Sequence, residues 1–326
     1  MIPSCSDSVH CIDAPSRLHI KDRSRSGKYS HAFPRFVFLP DADPRESLLL
    51  SESLPATLQY SLPNTLRQSA HSKAPLNAMS LLPQGLKATV VSHSTNPYIN
   101  LSLETFLFTT QPQSHILLLY RNRPSVIIGR NQNPFSQVNL SHIDFLRRYS
   151  GGGTVYHDLG NVNFSIKMPR QEFNRKTYAE MIVRSIERRN VHGCRVTDRG
   201  DIVRVQGDMG FKVSGSAYKV SKDIAYHHGT MLLNSNLEDL KRALKIRGRF
   251  MIRDKGVDSV RANHVANVPF PGSDNDEKFG EFATVVRQEF DEMHGSNEYF
   301  ELSEEEATGI PEVKKNMDQL SVNMEL

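Results

Sequence analysis

Residues 151–153 are three consecutive glycines, set in the segment RRYSGGGTVYHDLGN at residues 147–161. Such a run weakens a helix or an ordinary strand, because each glycine adds backbone entropy and buries no side chain. It suits a place where the chain turns through positive φ, or where a ligand must come close to the backbone. Amides exposed by such a turn form a small concavity for phosphate or carboxylate oxygens. Arg147 and Arg148 stand just before it, and a guanidinium there adds a charge-assisted bond to an anion. A plain glycine turn beside a solvated pair of arginines is the competing reading. The segment is neither a G-x-x-x-x-G-K-[ST] phosphate loop nor a G-x-G-x-x-G dinucleotide fingerprint.

The residues after it predict a hairpin. HDLG reads as a turn in which Asp158 accepts from nearby amides and Gly160 or Asn161 takes the left-handed conformation. VNFSIKM then alternates as a strand. His157 reads as a hydrogen-bonded structural histidine, since nothing in the sequence orients it as a base.

Ordered structure is expected from about Ala88. ATVVS predicts a strand, and NLSLETFLF a helix carrying Leu101, Glu104, Phe106 and Phe108. HILLLY and SVIIG predict two buried strands separated by the polar RNRP. KTYAEMIVRSIERR aligns Tyr178, Ile182 and Ile186 on one helical face. HGTMLL predicts a strand, followed by NLEDLKRALK as a helix capped by Asn236, with Asp239 at its third position. DEKFGEFATVVRQEFDEM aligns Phe279, Phe282, Val286 and Phe290. Strands and helices mixed in this way predict an α+β or α/β domain, taken here as 87–294.

A second constellation is GFKVSGSAYKVSKD. If Phe211, Val213 and Gly215 face the sheet interior, Lys212 and Ser214 face the other side. A lysine over a cleft pairs with phosphate, or with charge developing on a carbonyl oxygen. An edge-strand surface lysine is the plain alternative. Upstream, Asp201 in VTDRGDIV suits a ligand amine or Mg²⁺ between phosphates, and equally suits a simple turn. His227 and His228 are adjacent, so on a strand they face opposite sides, and no spaced ligand set completes a zinc shell. Cys194 shows no sign of activation.

Composition bounds the rest. The chain has 326 residues, 38% of them hydrophobic, enough for one substantial domain with extensions or two smaller domains. A net charge of +4 is too mild to choose a partner class, and basic residues do not interleave with aromatics as in nucleic-acid readers. Cys5, Cys11 and Cys194 are too few and scattered for a disulfide framework, which points to a reducing compartment. No apolar run reaches membrane-spanning length, and no membrane association is expected. Residues 1–86, rich in Ser, Pro, His and Arg, predict a disordered extension. Its arginines and lysines suit a mitochondrial presequence, against which Asp7, Asp13 and Asp22 argue; the cytoplasm is the alternative.

Taken in order, STNPYINLSLE, LLLYRNRPSVIIGRNQNP, RRYSGGGTVYHDLGN, DRGDIV, KVSGSAY and HHGTMLLN resemble the lipoate–protein ligase A and lipoyltransferase family over about residues 90–267. The resemblance implies a biotin/lipoate-ligase-like fold, with a mostly antiparallel central sheet flanked by helices. It implies activation of lipoate or octanoate with ATP and Mg²⁺ to an acyl-adenylate, then transfer to a lysine of a lipoyl carrier domain. Such carriers belong to the 2-oxoacid dehydrogenase complexes and include the glycine cleavage H protein. Transfer-only activity from a preformed acyl donor is the alternative, and a non-catalytic carrier-binding relative a further one. By the same resemblance Arg148, Ser150, Gly151, Gly152 and Gly153 approach the acyl ligand and nucleotide, and His157 supports that pocket. Lys212 is the catalytic contact to the carboxyl or acyl-phosphate oxygens. Asp201 lies in the nucleotide segment and is the candidate Mg²⁺ contact.

The chain departs from the family pattern at Gly200, where Asn is usual, in the short connection over residues 139–147, and at NHVANV. Residues 295–326 are expected to form a short helical tail without an accessory domain, and the protein is expected to be a monomer.

Overall fold

The computed structural model describes residues 85–109, 112–133, 144–244 and 265–322. The expected extension, with Cys5 and Cys11, lies outside the described residues apart from its last two positions.

The architecture rests on strands whose two faces are both covered. β1 (Lys87–Ser92) leads into helix α1 (Pro97–Thr109) and then β2 (His115–Arg121). In β2 alternate residues enter different cores: Leu117 and Leu119 one, Ile116 and Leu118 the other. That is why HILLLY reads as a continuous apolar run rather than an alternating one. SVIIG forms β3 (Ser125–Ile128), which leaves this sheet for a second, smaller one. There β3 pairs in parallel with β4 (Asp144–Arg147) and antiparallel with β5 (Val155–His157).

β6 (Asn161–Pro169) returns to the central sheet with all nine residues buried. Phe164, Ile166 and Met168 enter the main core, where helix α2 (Thr177–Glu187) contributes Tyr178, Ile182 and Ile186 as its spacing predicts. β7 (Cys194–Val196), β8 (Ile202–Gln206) and β9 (Met209–Ser214) form a third sheet, an antiparallel meander. β10 (Ser216–Val220) and β11 (Ile224–Leu232) then extend the central sheet.

The short helix α3 (Leu237–Ala243) is capped by the Asn236 side chain, which accepts from the amides of Glu238 and Asp239. α4 (Asn275–His294) buries Phe279, Phe282, Val286 and Phe290 beside α2. Beyond it lie β12 (Glu298–Leu302), α5 (Glu304–Thr308) and α6 (Pro311–Val322).

The six-stranded central sheet runs β10-β11-β6-β2-β1-β12. Three of its pairings are antiparallel, while β1–β2 and β1–β12 are parallel. The fold is thus α+β with a mixed, mainly antiparallel sheet between two helical layers. One expectation is corrected. The segment after 294 does contain helices, but β12 is the edge strand of the central sheet, so the boundary placed there falls inside the fold. Phe300 and Leu302 are buried with Ile310 and Val313 in the core that α1 shares.

A second correction concerns the hairpin turn. Neither Gly160 nor Asn161 has positive φ. Gly160 is required instead by close approach, since a Cβ there would stand 2.0 Å from the Asn234 carbonyl oxygen. Asp158 does organise the turn as expected, accepting from the Gly160 and Asn236 amides and the Ser235 hydroxyl.

Candidate active site

A cleft of about 530 Å³ opens where the three sheets meet. Arg148, Gly153, His157 and Lys212 all line it, so residues far apart in sequence converge on one space. Leu101, Ile127 and Val155 supply an apolar wall, and Ser216, Gly229 and Thr230 the far side. A second, mainly apolar recess, with Tyr156, Leu232, Leu240 and Val265, meets the first at Lys212, Gly215 and Thr230.

Lys212 sits on β9 with its side chain 34% exposed. Its backbone carbonyl accepts from the Ala266 amide, so the NHVANV segment fixes the strand that carries it. The ammonium donates to Asp201 Oδ2 at 2.8 Å. Lysine carries three such donors, and the other two have no protein acceptor among the described residues. Asp201 Oδ1 accepts from the Ser216 amide at 3.0 Å. Asp201 is therefore the partner that holds Lys212 over the cleft, a link the sequence did not reveal.

Gly200 owes its identity to the same corner. Its φ is +85°, and a Cβ would fall 1.9 Å from the Tyr218 hydroxyl, which donates to the Arg175 carbonyl. The Gly200 carbonyl accepts from the Ser216 hydroxyl, so the His227 Nε2 hydrogen is the one that donates to Ser216 Oγ. Burial pushes the His227 pKa down to about 3, and the ring stays neutral.

The glycine segment is shaped by Arg148. This buried guanidinium donates to the carbonyls of Ile127, Gly151 and Gly153 and to Ser150 Oγ. Four of its five N–H donors are spent in this way, three of them on the segment 150–153, and the residue still lines the cleft. The amides of Gly151, Gly152 and Gly153 have no protein acceptor among the described residues. With the Gly151 and Gly153 carbonyls occupied and the three amides free, these residues have the makings of an anion nest. Only Gly152 has positive φ, +88°, and its carbonyl oxygen would lie 2.0 Å from a Cβ on Gly129. Arg147 turns to the carbonyls of Arg130 and Gln132 instead.

His157 lines the cleft and is hydrogen-bonded, through a partner the sequence concealed. Asn122 accepts from Asn100 and donates to His157 Nδ1 at 2.9 Å, which leaves the ring hydrogen on Nε2. Burial, with the nearby Arg148 charge, pushes its pKa down to about 3. A neutral imidazole there acts as a hydrogen-bond donor, not as an acid in the physiological range. His227 and His228 do face opposite sides of β11, and His228 meets Glu104 and Ser150. No cluster of three metal-ligating side chains occurs among the described residues. Burial pushes the Cys194 thiol up to about 11, so it is not an activated nucleophile. No helix among the described residues is long and apolar enough to cross a membrane.

Sequence comparison places this arrangement among known proteins. The lipoyl protein ligase A/B catalytic domain matches residues 96–291. A lipoate-protein ligase A of Bdellovibrio bacteriovorus is 36% identical over 240 residues, covering 71% of this chain and 69% of that protein. A candidate lipoate-protein ligase A of Schizosaccharomyces pombe is 46% identical over 178 residues, covering 53% of this chain. The chain spans about half of that relative's length, 48%.

Solved structures agree in fold. P. falciparum LipL1 in complex with lipoate has a TM-score of 0.58 at 28% identity, covering 72% of this chain and 71% of that one. A lipoate-protein ligase A bound with ATP has a TM-score of 0.58 at 25% identity, with coverages of 73% and 95%. The bipartite lipoate protein ligase of Thermoplasma acidophilum, described with its E2 lipoyl domain, has a TM-score of 0.58 at 26% identity, with coverages of 73% and 93%. Domain match, sequence identity and the shared architecture together make this chain a member of the lipoyl protein ligase A/B catalytic domain family.

Proposed function

We propose that this chain joins lipoate to ATP as lipoyl-adenylate and passes the lipoyl group to a lysine of a carrier domain. The observation that carries the reading is the meeting of Lys212 with Arg148 and Gly153 of the glycine segment in one cleft. A carboxylate is a poor electrophile, and adenylation supplies a phosphate leaving group. Two unclaimed ammonium hydrogens on Lys212 suit the oxygens that gain negative charge as the carboxylate attacks the α-phosphorus and pyrophosphate departs. They suit equally the carbonyl oxygen when the carrier amine attacks and AMP leaves. Free amides at Gly151–Gly153 suit phosphate oxygens. The apolar wall of Leu101, Ile127 and Val155 suits an acyl chain, each buried methylene being worth about 0.8 kcal/mol.

Mg²⁺ fits only in a limited way. Asp201 already holds Lys212 and the Ser216 amide, so phosphate oxygens would supply most of the ion's ligands, with Asp201 as the protein contact. The lipoate-bound, ATP-bound and E2-associated relatives support lipoate, ATP and a lipoyl carrier as the ligand set. Carrier domains of 2-oxoacid dehydrogenase complexes and the glycine cleavage H protein are the partners proposed, with the chain acting as a monomer. The basic residues of 1–86 support a mitochondrial address, testable by the location of a fluorescent fusion with and without that segment.

Transfer from a preformed donor is favoured by one observation: at Gly200, where the family usually has Asn, the Tyr218 hydroxyl occupies the side-chain position. Purified protein given lipoate, MgATP and an apo carrier should release AMP and pyrophosphate and add a lipoyl mass to the carrier. Modification only from supplied lipoyl-adenylate or acylated carrier would establish the transferase instead. Lys212→Ala should remain folded and lose at least a hundredfold of either activity; near-normal turnover would refute the role given to Lys212.

A further inference from the structure

Behind the glycine loop runs a buried file of side chains drawn from three separate stretches of sequence. Glu104 of α1 meets His228 Nδ1 at 2.9 Å, His228 Nε2 meets Ser150 Oγ at 2.7 Å, and Arg148 Nε donates to Ser150 Oγ at 2.9 Å. Glu104 is 5% exposed, His228 9%, Ser150 1% and Arg148 5%, so water screens none of these contacts well. Burial works to raise the Glu104 pKa. His228, the Ser165 hydroxyl and the Arg148 charge outweigh it and hold the carboxyl below its ordinary value. An ionised Glu104 can only accept, which puts a hydrogen on His228 Nδ1. Arg148 can only donate, so Ser150 accepts from it. The hydroxyl, with one hydrogen and two lone pairs, closes against His228 Nε2 in either protonation state of the ring.

The two ends of this file are opposite charges that do not touch. Among the described residues Arg148 makes no contact with a carboxylate, and Glu104 is the carboxylate that favours its charged form. A buried guanidinium left without its anion is costly. Arg148 in turn holds the Gly151 and Gly153 carbonyls, both at 2.7 Å. The conformation of the loop is thereby tied to a carboxylate on a helix that precedes it by more than 40 residues.

We propose that Glu104 and His228 are positioning residues for the glycine loop, acting through Ser150 and Arg148 to hold residues 151–153 in the form that receives the ligand's anionic oxygens. This rests on the acyl-adenylate reading of the same cleft. The part concerning loop order stands apart from that reading and is tested separately.

The first experiment is ¹⁵N relaxation on the full chain without ligand. In Glu104→Gln, order parameters for the Gly151–Gly153 amides should fall from about 0.85, the value of rigid backbone, to below about 0.6, with β6 and β11 unchanged. Ser150→Ala, which cuts the file without removing a charge, should loosen the same three amides and keeps the test open if Glu104→Gln does not fold. An unchanged loop, or loosening spread over the whole chain, overturns the proposal.

The second experiment is kinetic. Glu104→Gln should lower kcat/KM for lipoate and MgATP at least tenfold, mainly through KM, yet change it less than twofold in an Arg148→Met background. Losses that simply multiply would overturn the proposed coupling. A wild-type chain with no acyl-transfer activity would sink the functional reading, while the relaxation data would still decide whether this file orders the loop.

Discussion

Lys212 and Asp201 define the chemistry at the scale of single residues. The carboxylate holds the ammonium over the cleft while leaving two of its hydrogens unclaimed among the described residues. Asp201→Asn should therefore lower kcat by roughly ten- to a hundredfold, an effect of the size expected when a charge-stabilising donor loses its aim. Stability measured by urea unfolding should change little, since the pair is partly solvated. The glycines of the loop are not equivalent. Gly151 has open space around its missing Cβ and no positive φ, whereas a Cβ on Gly129 would strike the Gly152 carbonyl. Gly151→Ala should keep Tm within about 2 °C. Gly129→Ala should displace the loop and raise KM for lipoate and ATP several-fold. Differential scanning calorimetry and steady-state rates check both.

At the scale of elements, β12 is the piece that pattern alone hid. GSNEYFELSEEE carries so much charge that only Phe300 and Leu302 mark a strand, and its partner β1 lies about 200 residues away. Once paired, it buries those two side chains with Ile310 and Val313. Removing four such residues forfeits roughly 1.5–3 kcal/mol each and leaves β1 as an open edge. A chain ended at residue 294 should be insoluble, or melt at least 10 °C below the full chain, as circular dichroism would show. α2 and α4 were far easier to foresee, because each presents one apolar face to one partner. α1 buries residues on every side, so its pattern identified a helix without saying what lay around it.

Across the whole molecule, two neutral buried histidines link stability to pH. His157 and His227 have folded-state values of about 3, against an ordinary 6.5. Between those limits the unfolded chain binds more protons than the folded one, so stability rises with pH. The contribution is complete above about 6.5 and is lost as pH falls toward 3. Each histidine should supply a slope on the order of 1 kcal/mol per pH unit within that window. Urea midpoints at pH 7.5, 6 and 5 should fall in that order. A flat series would mean that the two rings are protonated in the folded protein.

The amino-acid order by itself determined the local grammar: where the chain turns, where apolar strands run, which faces of α2 and α4 enter the core, and the motifs that assign the family. It also picked out Arg148, Asp201 and Lys212 as chemically capable and His157 as a hydrogen-bonded support. Only the tertiary structure decided their partners. Asp201 turns out to hold Lys212, Asn122 orients His157, Glu104 stands at the far end of a file leading to Arg148, and β12 closes the sheet against β1. The reason is physical: period and propensity act over a few residues, whereas burial makes groups distant in sequence neighbours and strengthens the hydrogen bonds between them.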